Sequence, residues 1–364
     1  MRIPPSASTL TLKAALLVIA CGASLTSLQL PAQAPPPSST ASWRLRQIAV
    51  ISMSGLPEFD QAAFANGSVV ISHPGAHTVD VFNPLKRLLV KHVAGVDDPR
   101  GIAVDDATKT VFIADAAKPS VAIISTANWT VLRTIPLPET PQDVVFAEKE
   151  NALYISALTA SSIMYVPLDQ GQAATIDVGG RIDGIAYDAQ AGRIFASVNN
   201  LAEVAVLQAA GAQTKVSQRW TLNASQPAGL AFDPQEGRLF VAVRYAVLSL
   251  NAGTGQEISR VPTAAGTDTL RYDPARQVLY AASSDGSITT IAADKGKLIS
   301  QYELRTGVKG HNLALDPENH LLYLPGGAAG KSKLVVLKPF SIIPEGQSGH
   351  EDDDTPPAKT PPKP

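Results

Sequence analysis

The stretch Arg100-Gly101-Ile102-Ala103-Val104-Asp105, followed by Val111-Phe112-Ile113-Ala114, returns later as Ala228-Gly229-Leu230-Ala231-Phe232-Asp233 and Leu239-Phe240-Val241-Ala242. Each copy has one leading residue, a small residue, a strand ending in aspartate, a tight turn, and an apolar second strand built around an aromatic. The aromatics keep count along the whole chain. Phe112, Tyr154, Phe195, Phe240, Tyr280 and Tyr323 follow one another at 42, 41, 45, 40 and 43 residues, and Val70 holds the same place 42 residues before Phe112. That makes seven units of about 42 residues, the size of a four-stranded propeller blade.

The length agrees, because Trp43 to Phe340 spans 298 residues, about 42.6 per unit. The apolar positions alternate as in half-buried antiparallel strands, and no helical period interrupts them. Tandem β-sandwiches would repeat at about 100 residues. Radial closure also removes most exposed sheet edges. The expected fold is therefore an all-β, seven-bladed propeller. The last unit ends at Leu334-Val335-Val336-Leu337, one strand short, while Leu45 to Ile51 is an orphan strand before the first unit. The N-terminal strand is expected to close the last blade.

The segment Val111 to Leu137 (VFIADAAKPSVAIISTANWTVLRTIPL), with counterparts from Leu153 and Leu279, resembles the YVTN-repeat β-propellers, which are related to the NHL and lactonase-like propellers. No unit spells Y-V-T-N, and the G-H and W-D signature of WD40 blades is missing. The resemblance covers residues 43–340 and implies the fold. It implies no single activity, since such propellers bind or process very different things.

The flanks read differently. Arg2 and Lys13 precede the apolar run Ala14 to Ala20, too short to span a bilayer, so residues 1–34 read as a signal peptide. Two cleavage readings stand. Val18-Ile19-Ala20-Cys21-Gly22 resembles a bacterial lipobox, with Cys21 lipidated; Ala32-Gln33-Ala34 is an A-x-A site followed by Pro35. Either implies export to the periplasm or cell envelope, with membrane contact only through the lipid anchor. Residues 35–42 form a Pro/Ser linker, and 341–364 an acidic and Pro-rich tail containing Glu351-Asp352-Asp353-Asp354; both are expected to lack fixed structure.

Composition narrows the chemistry. A formal net charge of −2 gives no general attraction to nucleic acid. One cysteine rules out a disulfide framework, a thiolate zinc cluster and a covalent c-type haem. Pro325 to Ser332 lacks the glycine spacing of a phosphate loop and lies between strands, and no G-x-S-x-G elbow is present.

The seven copies separate scaffold from site. Asp105, Asp188, Asp233, Asp273 and Asp316 recur at the end of the first strand and read as turn formers. The position leading into that strand varies instead: Asp60, Arg100, Gln142, Asp183, Ala228, Asp268 and His311. In a propeller these residues ring the channel mouth, together with loops carrying His73, His77, Asp115, Asn199-Asn200, Arg244-Tyr245 and Asp285. Arg271 places a charge in a first strand where other blades have Ala or Val.

Three readings of the ring compete. It is a solvated funnel; or a ligand- or protein-binding platform, in which Arg100, Arg244 and Arg271 grip a carboxylate or phosphate; or a metal-dependent lactonase- or esterase-type hydrolase, with Asp60, Asp183, Asp268 and His311 around a divalent cation. The binding platform is the preferred functional reading, with an envelope protein or a small polar ligand as partner. It needs no cofactor and assigns no catalytic residue. The site on this reading is Asp60, Arg100, Gln142, Asp183, Arg244, Asp268, Arg271 and His311.

Overall fold

A computed structural model describes residues 42–169, 173–294 and 296–342. The signal segment with Cys21, nearly all of the linker and the acidic tail lie outside the described residues. The rest forms seven four-stranded antiparallel sheets, each a consecutive run of strands except the last. Blade 2, for example, is Pro99–Asp105, Thr110–Asp115, Ser120–Ser125 and Thr130–Pro136, and the remaining blades repeat this order outward from the axis. No helix among the described residues is long and apolar enough to cross a membrane.

The repeat exists because each blade has one strand that is dry along all or nearly all of its length. The second strands, such as Thr110–Asp115, Ala152–Ala157 and Val278–Ser283, are buried at every position. Their counting aromatics, Phe112 to Tyr323, are all at most 2% exposed. Three of them stack on an aromatic from the first strand of the next blade: Phe112 on Phe146 at 5.3 Å, Phe195 on Phe232 at 5.6 Å, and Phe240 on Tyr272 at 5.2 Å. Tilted ring pairs at such distances add to area burial, so these contacts set blade against blade. The core is accordingly a ring of inter-blade clusters, not one central mass.

The recurrent aspartates close the turn after the first strand. Their carboxylates accept backbone N–H groups two residues on, from Ala107 to Asp105, Gln190 to Asp188, Gln235 to Asp233 and Glu318 to Asp316, at 2.9–3.1 Å. Two also pair with an arginine that begins the next strand, Asp188 with Arg193 and the fully buried Asp233 with Arg238. These carboxylates are spent on local geometry. Trp220 packs in the blade 4/5 cluster, and Gly255, at φ +74°, lies so close that a Cβ there would fall 2.2 Å from its ring.

The ring closes as the sequence anticipates. Ser42–Ser52 pairs antiparallel with Lys331–Ile342, from Ser42 opposite Ile342 to Ser52 opposite Lys333, with a bulge between Gln47 and Ala49. It is the outermost strand of blade 7, whose inner strands are Ala314–Leu315 and Leu322–Ala328. Leu45 is only 2% exposed and shares a cluster with Val278 and Tyr280 of blade 6 and Leu322 and Val335 of blade 7. Truncating it removes core from two blades at once. Leu45→Ala should therefore cost about 2–5 kcal/mol and speed amide exchange across Lys331–Ile342. Chemical denaturation with hydrogen exchange checks this, and a cost like that of a surface change at Arg46 would refute the clasp.

Candidate functional site

The inner ends of the first strands meet at a cup of about 340 Å³ on the axis. Asp60, Gln142, Asp183, Asp268, Arg271 and His311 all line it. Arg100 stands at its edge, its guanidinium shared between Asp60 at 3.1 Å and Asp98 at 2.9 Å. Arg244 is not part of the lining. It lies on the turn between the second and third strands of blade 5, where its Nε donates to the Tyr245 hydroxyl at 3.0 Å and its guanidinium rests 5.3 Å from that ring. The other loop residues are mostly structural. His73 is fully buried between Asp80 and the Leu56 carbonyl, while Asp115 accepts the Asp97 and Asp98 amides.

Backbone crowding decides which side chains reach the axis. At the position just inside the rim, blades 2, 4 and 5 carry Gly101, Gly184 and Gly229, where the next blade's rim residue presses its backbone inward. A Cβ on Gly229 would lie 2.0 Å from the Asp268 carbonyl oxygen, and one on Gly101 2.6 Å from that of Gln142. The other blades keep side chains there, Gln61, Asp143, Thr269 and Asn312, and all four line the cup.

Asp143 organises its floor. It accepts from Gln61 Nε2 at 2.7 Å, from the Ile185 amide at 3.0 Å and from the Val144 amide at 2.9 Å, so it ties blades 1, 3 and 4. Gln61 in turn accepts the Ile102 amide of blade 2 at 3.0 Å. From blade 6, Arg271 crosses to donate to the Ala62 carbonyl at 3.1 Å, and it also donates to the Leu270 carbonyl at 2.9 Å. Arg271 lines a second cavity too, bounded by Leu230, Phe232 and Tyr272. The cup therefore has a floor of interlocked polar side chains. Sequence comparison of the blades missed Asp143 and Gln61, although the same comparison one residue further on, with glycine as background, would have exposed both.

The charges of the cup are unevenly satisfied. Burial raises the Asp60 carboxyl to about 6 despite the opposing Arg100. Burial and the charge of Asp268 raise Asp183 to about 6 as well; Arg181 and a 2.9 Å hydrogen bond from Asn199 only partly oppose this. Asp143 is likewise raised by burial, against its three donors. Burial alone would lower His311, but its contact with Asp268 and the charges of Asp60 and Asp183 outweigh this and raise it. Burial lowers Arg271, with Asp143 opposing. The buried Oε1 of Gln142 has no hydrogen-bond partner.

For a divalent cation the test is convergence. Asp60, Asp183, Asp268 and His311 share the cup, but among the described residues no three His, Cys, Asp or Glu side chains are grouped closely enough to hold a metal. Asp60 is turned to Arg100, Asp183 to Asn199 and Asp268 to His311. Compared with protein-family models and with curated proteins, the chain finds no match.

Two measurements probe this arrangement. Since the Asp183 carboxyl moves from 3.8 to about 6 on folding, the folded state holds its proton longer than the unfolded one. Stability from this group is complete below about pH 4 and is lost as pH rises to about 6. Asp183→Asn should gain on wild type across that window, by on the order of 2 kcal/mol at neutrality, as read from urea denaturation against pH. A difference that stays flat with pH would refute the assignment. Asp143→Ala should cost about 1–3 kcal/mol, because it strands the Ile185 and Val144 amides and the Gln61 Nε2 that donate to it; the same titration measures it.

Proposed function

We propose that this protein is an exported, YVTN-like propeller acting as a binding platform, whose cup receives a small polar ligand or partner side chain that brings hydrogen-bond donors and positive charge. The carrying observation is the imbalance of the lining. Its cationic groups are already engaged: Arg100 by Asp60 and Asp98, Arg271 by two backbone carbonyls, His311 by Asp268. Its acceptors are less fully met: Asp60 has Arg100 and Asp183 has Asn199, but burial still holds both carboxyls raised to about 6, and the Gln142 Oε1 has no partner. An anion would have to displace internal pairs, whereas an amine supplies what the cup lacks. Of the gripping arginines anticipated in the sequence, Arg100 then serves the wall and Arg271 the floor, Arg244 lies outside the cup, and the carboxylates are left to the guest. The signal-like start, Arg2 to Ala20, supports export.

Thermal unfolding of the full chain tests the reading. Putrescine, spermidine, lysine and arginine are compared with citrate, phosphate and divalent cations, at about pH 7.5 and about pH 5. An amine should raise the melting temperature, with about 2.7 kcal/mol of stabilisation at a hundredfold excess over its Kd. The effect should fade at the lower pH, as Asp60 and Asp183 protonate, and should vanish in Asp183→Asn. Anions stabilising equally, or an unaltered response in the variant, would refute it. Stabilisation by a divalent cation that chelation reverses would favour the hydrolase instead.

A further inference from the structure

Beside the cup lies a groove of opposite character, about 570 Å³, lined by Arg181, Asn199, Asn200, Ala202, Ser225 and Gln226. It runs between the loops that lead into blades 4 and 5. The Arg244-Tyr245 turn adjoins it, since the Arg244 amide donates to the Ser225 carbonyl at 3.1 Å. Arg181 thus lines the trough, and Arg244 stands on the turn hydrogen-bonded to its Ser225 wall, on the neighbouring blade.

Their hydrogen-bond partners are all neutral. Arg181 donates through Nη2 to Asn199 Oδ1 at 2.6 Å and through its backbone amide to Asn200 Oδ1 at 2.7 Å. Arg244 is held by the hydroxyl and face of Tyr245. Among the described residues neither forms an ion pair, whereas Arg100, Arg193, Arg219, Arg238 and Arg260 each have a carboxylate. The asparagine and the tyrosine fix the two groups without neutralising them. Alongside, Tyr245 is 56% and Leu201 43% exposed. Arginine and tyrosine held rigid at a surface are the residues that dominate protein interfaces.

We propose that this groove docks an extended acidic segment of a partner protein, with carboxylates on Arg181 and Arg244 and an apolar side chain against Leu201 and Tyr245. A partner is favoured over a compact anion because the two arginines belong to different blades, Arg181 before the first strand of blade 4 and Arg244 on the turn between the second and third strands of blade 5. The chain's own acidic run, Glu351 to Asp354, is a poor candidate within one molecule. It follows Lys331–Ile342, a third strand that starts on the groove's face and ends on the opposite one. The groove touches the cup only through Asn199, which donates to Asp183 and accepts from Arg181, so Asp60→Asn, on blade 1 and paired with Arg100, distinguishes failure of one reading from failure of the other.

The experiment is fluorescence anisotropy of the full chain with a labelled octapeptide alternating Glu and Leu, and with its Gln/Leu counterpart, at low ionic strength. Saturable binding of the acidic peptide is expected. It should weaken by at least about tenfold in Arg181→Ser/Arg244→Ser, as the loss of two charge-assisted hydrogen bonds requires, and equally with the Gln peptide. Arg87→Ser, an exposed arginine on the opposite face, and Asp60→Asn should leave it unchanged. Absence of saturable binding, equal weakening by Arg87→Ser, or displacement by inorganic phosphate at the peptide's own concentration would overturn the proposal. So would self-association of the wild type that the double substitution abolishes, which would make the occupant another copy's tail.

Discussion

Everything in this molecule depends on one antiparallel pairing, that of Ser42–Ser52 with Lys331–Ile342. A ring of sheets has no central mass to hold it; each blade is stable because it is sandwiched between two others. If the first and last were not joined, one blade face on each side of the gap would be wet, and the loss would reach the inter-blade clusters that bury Phe112, Phe195 and Phe240. The two ends of the chain are therefore fastened to each other, and the positions that face the axis inherit their rigidity from a strand at the rim.

That rigidity lets the cup hold groups that would otherwise relax. Asp60, Asp143 and Asp183 are kept in a setting that disfavours their charge, and Arg271 is buried against backbone carbonyls of blades 1 and 6. A single flexible loop would turn such side chains toward water. Here the carbonyls and amides that fix them come from several blades, each packed independently, so the unfavourable electrostatics of the axis are offset by apolar burial elsewhere.

The fold was legible in the sequence because its cause is periodic. A dry second strand needs one large apolar residue per blade, and Phe112 to Tyr323 record that need at nearly even spacing. The rim was partly legible for the converse reason, since residues that differ from blade to blade are not required by the blade; six of the eight residues chosen in this way line the cup. Arg244 escaped it because a turn residue's sequence position does not fix how far it lies from the axis. Asp143 stayed hidden beside Gln142, in a column where glycine is dictated by the approach of the neighbouring backbone, and only the closeness of that approach makes a side chain there informative. Which partner an arginine takes was not legible at all. Arg100 and Arg271 look alike in sequence as free cations, yet one is used by carboxylates and the other by carbonyls.

The crossing of Arg271 from blade 6 to Ala62 has a consequence for traffic. Gln61 is joined to Asp143, and Arg271 lines both the cup and a second cavity between blades 5 and 6, so polar side chains of blades 1, 3 and 6 are laid across the axis. A molecule moving along the axis from the cup would meet these crossings first. The rim residues and the Arg181 groove open on one face of the disc, so both are approached from the same side.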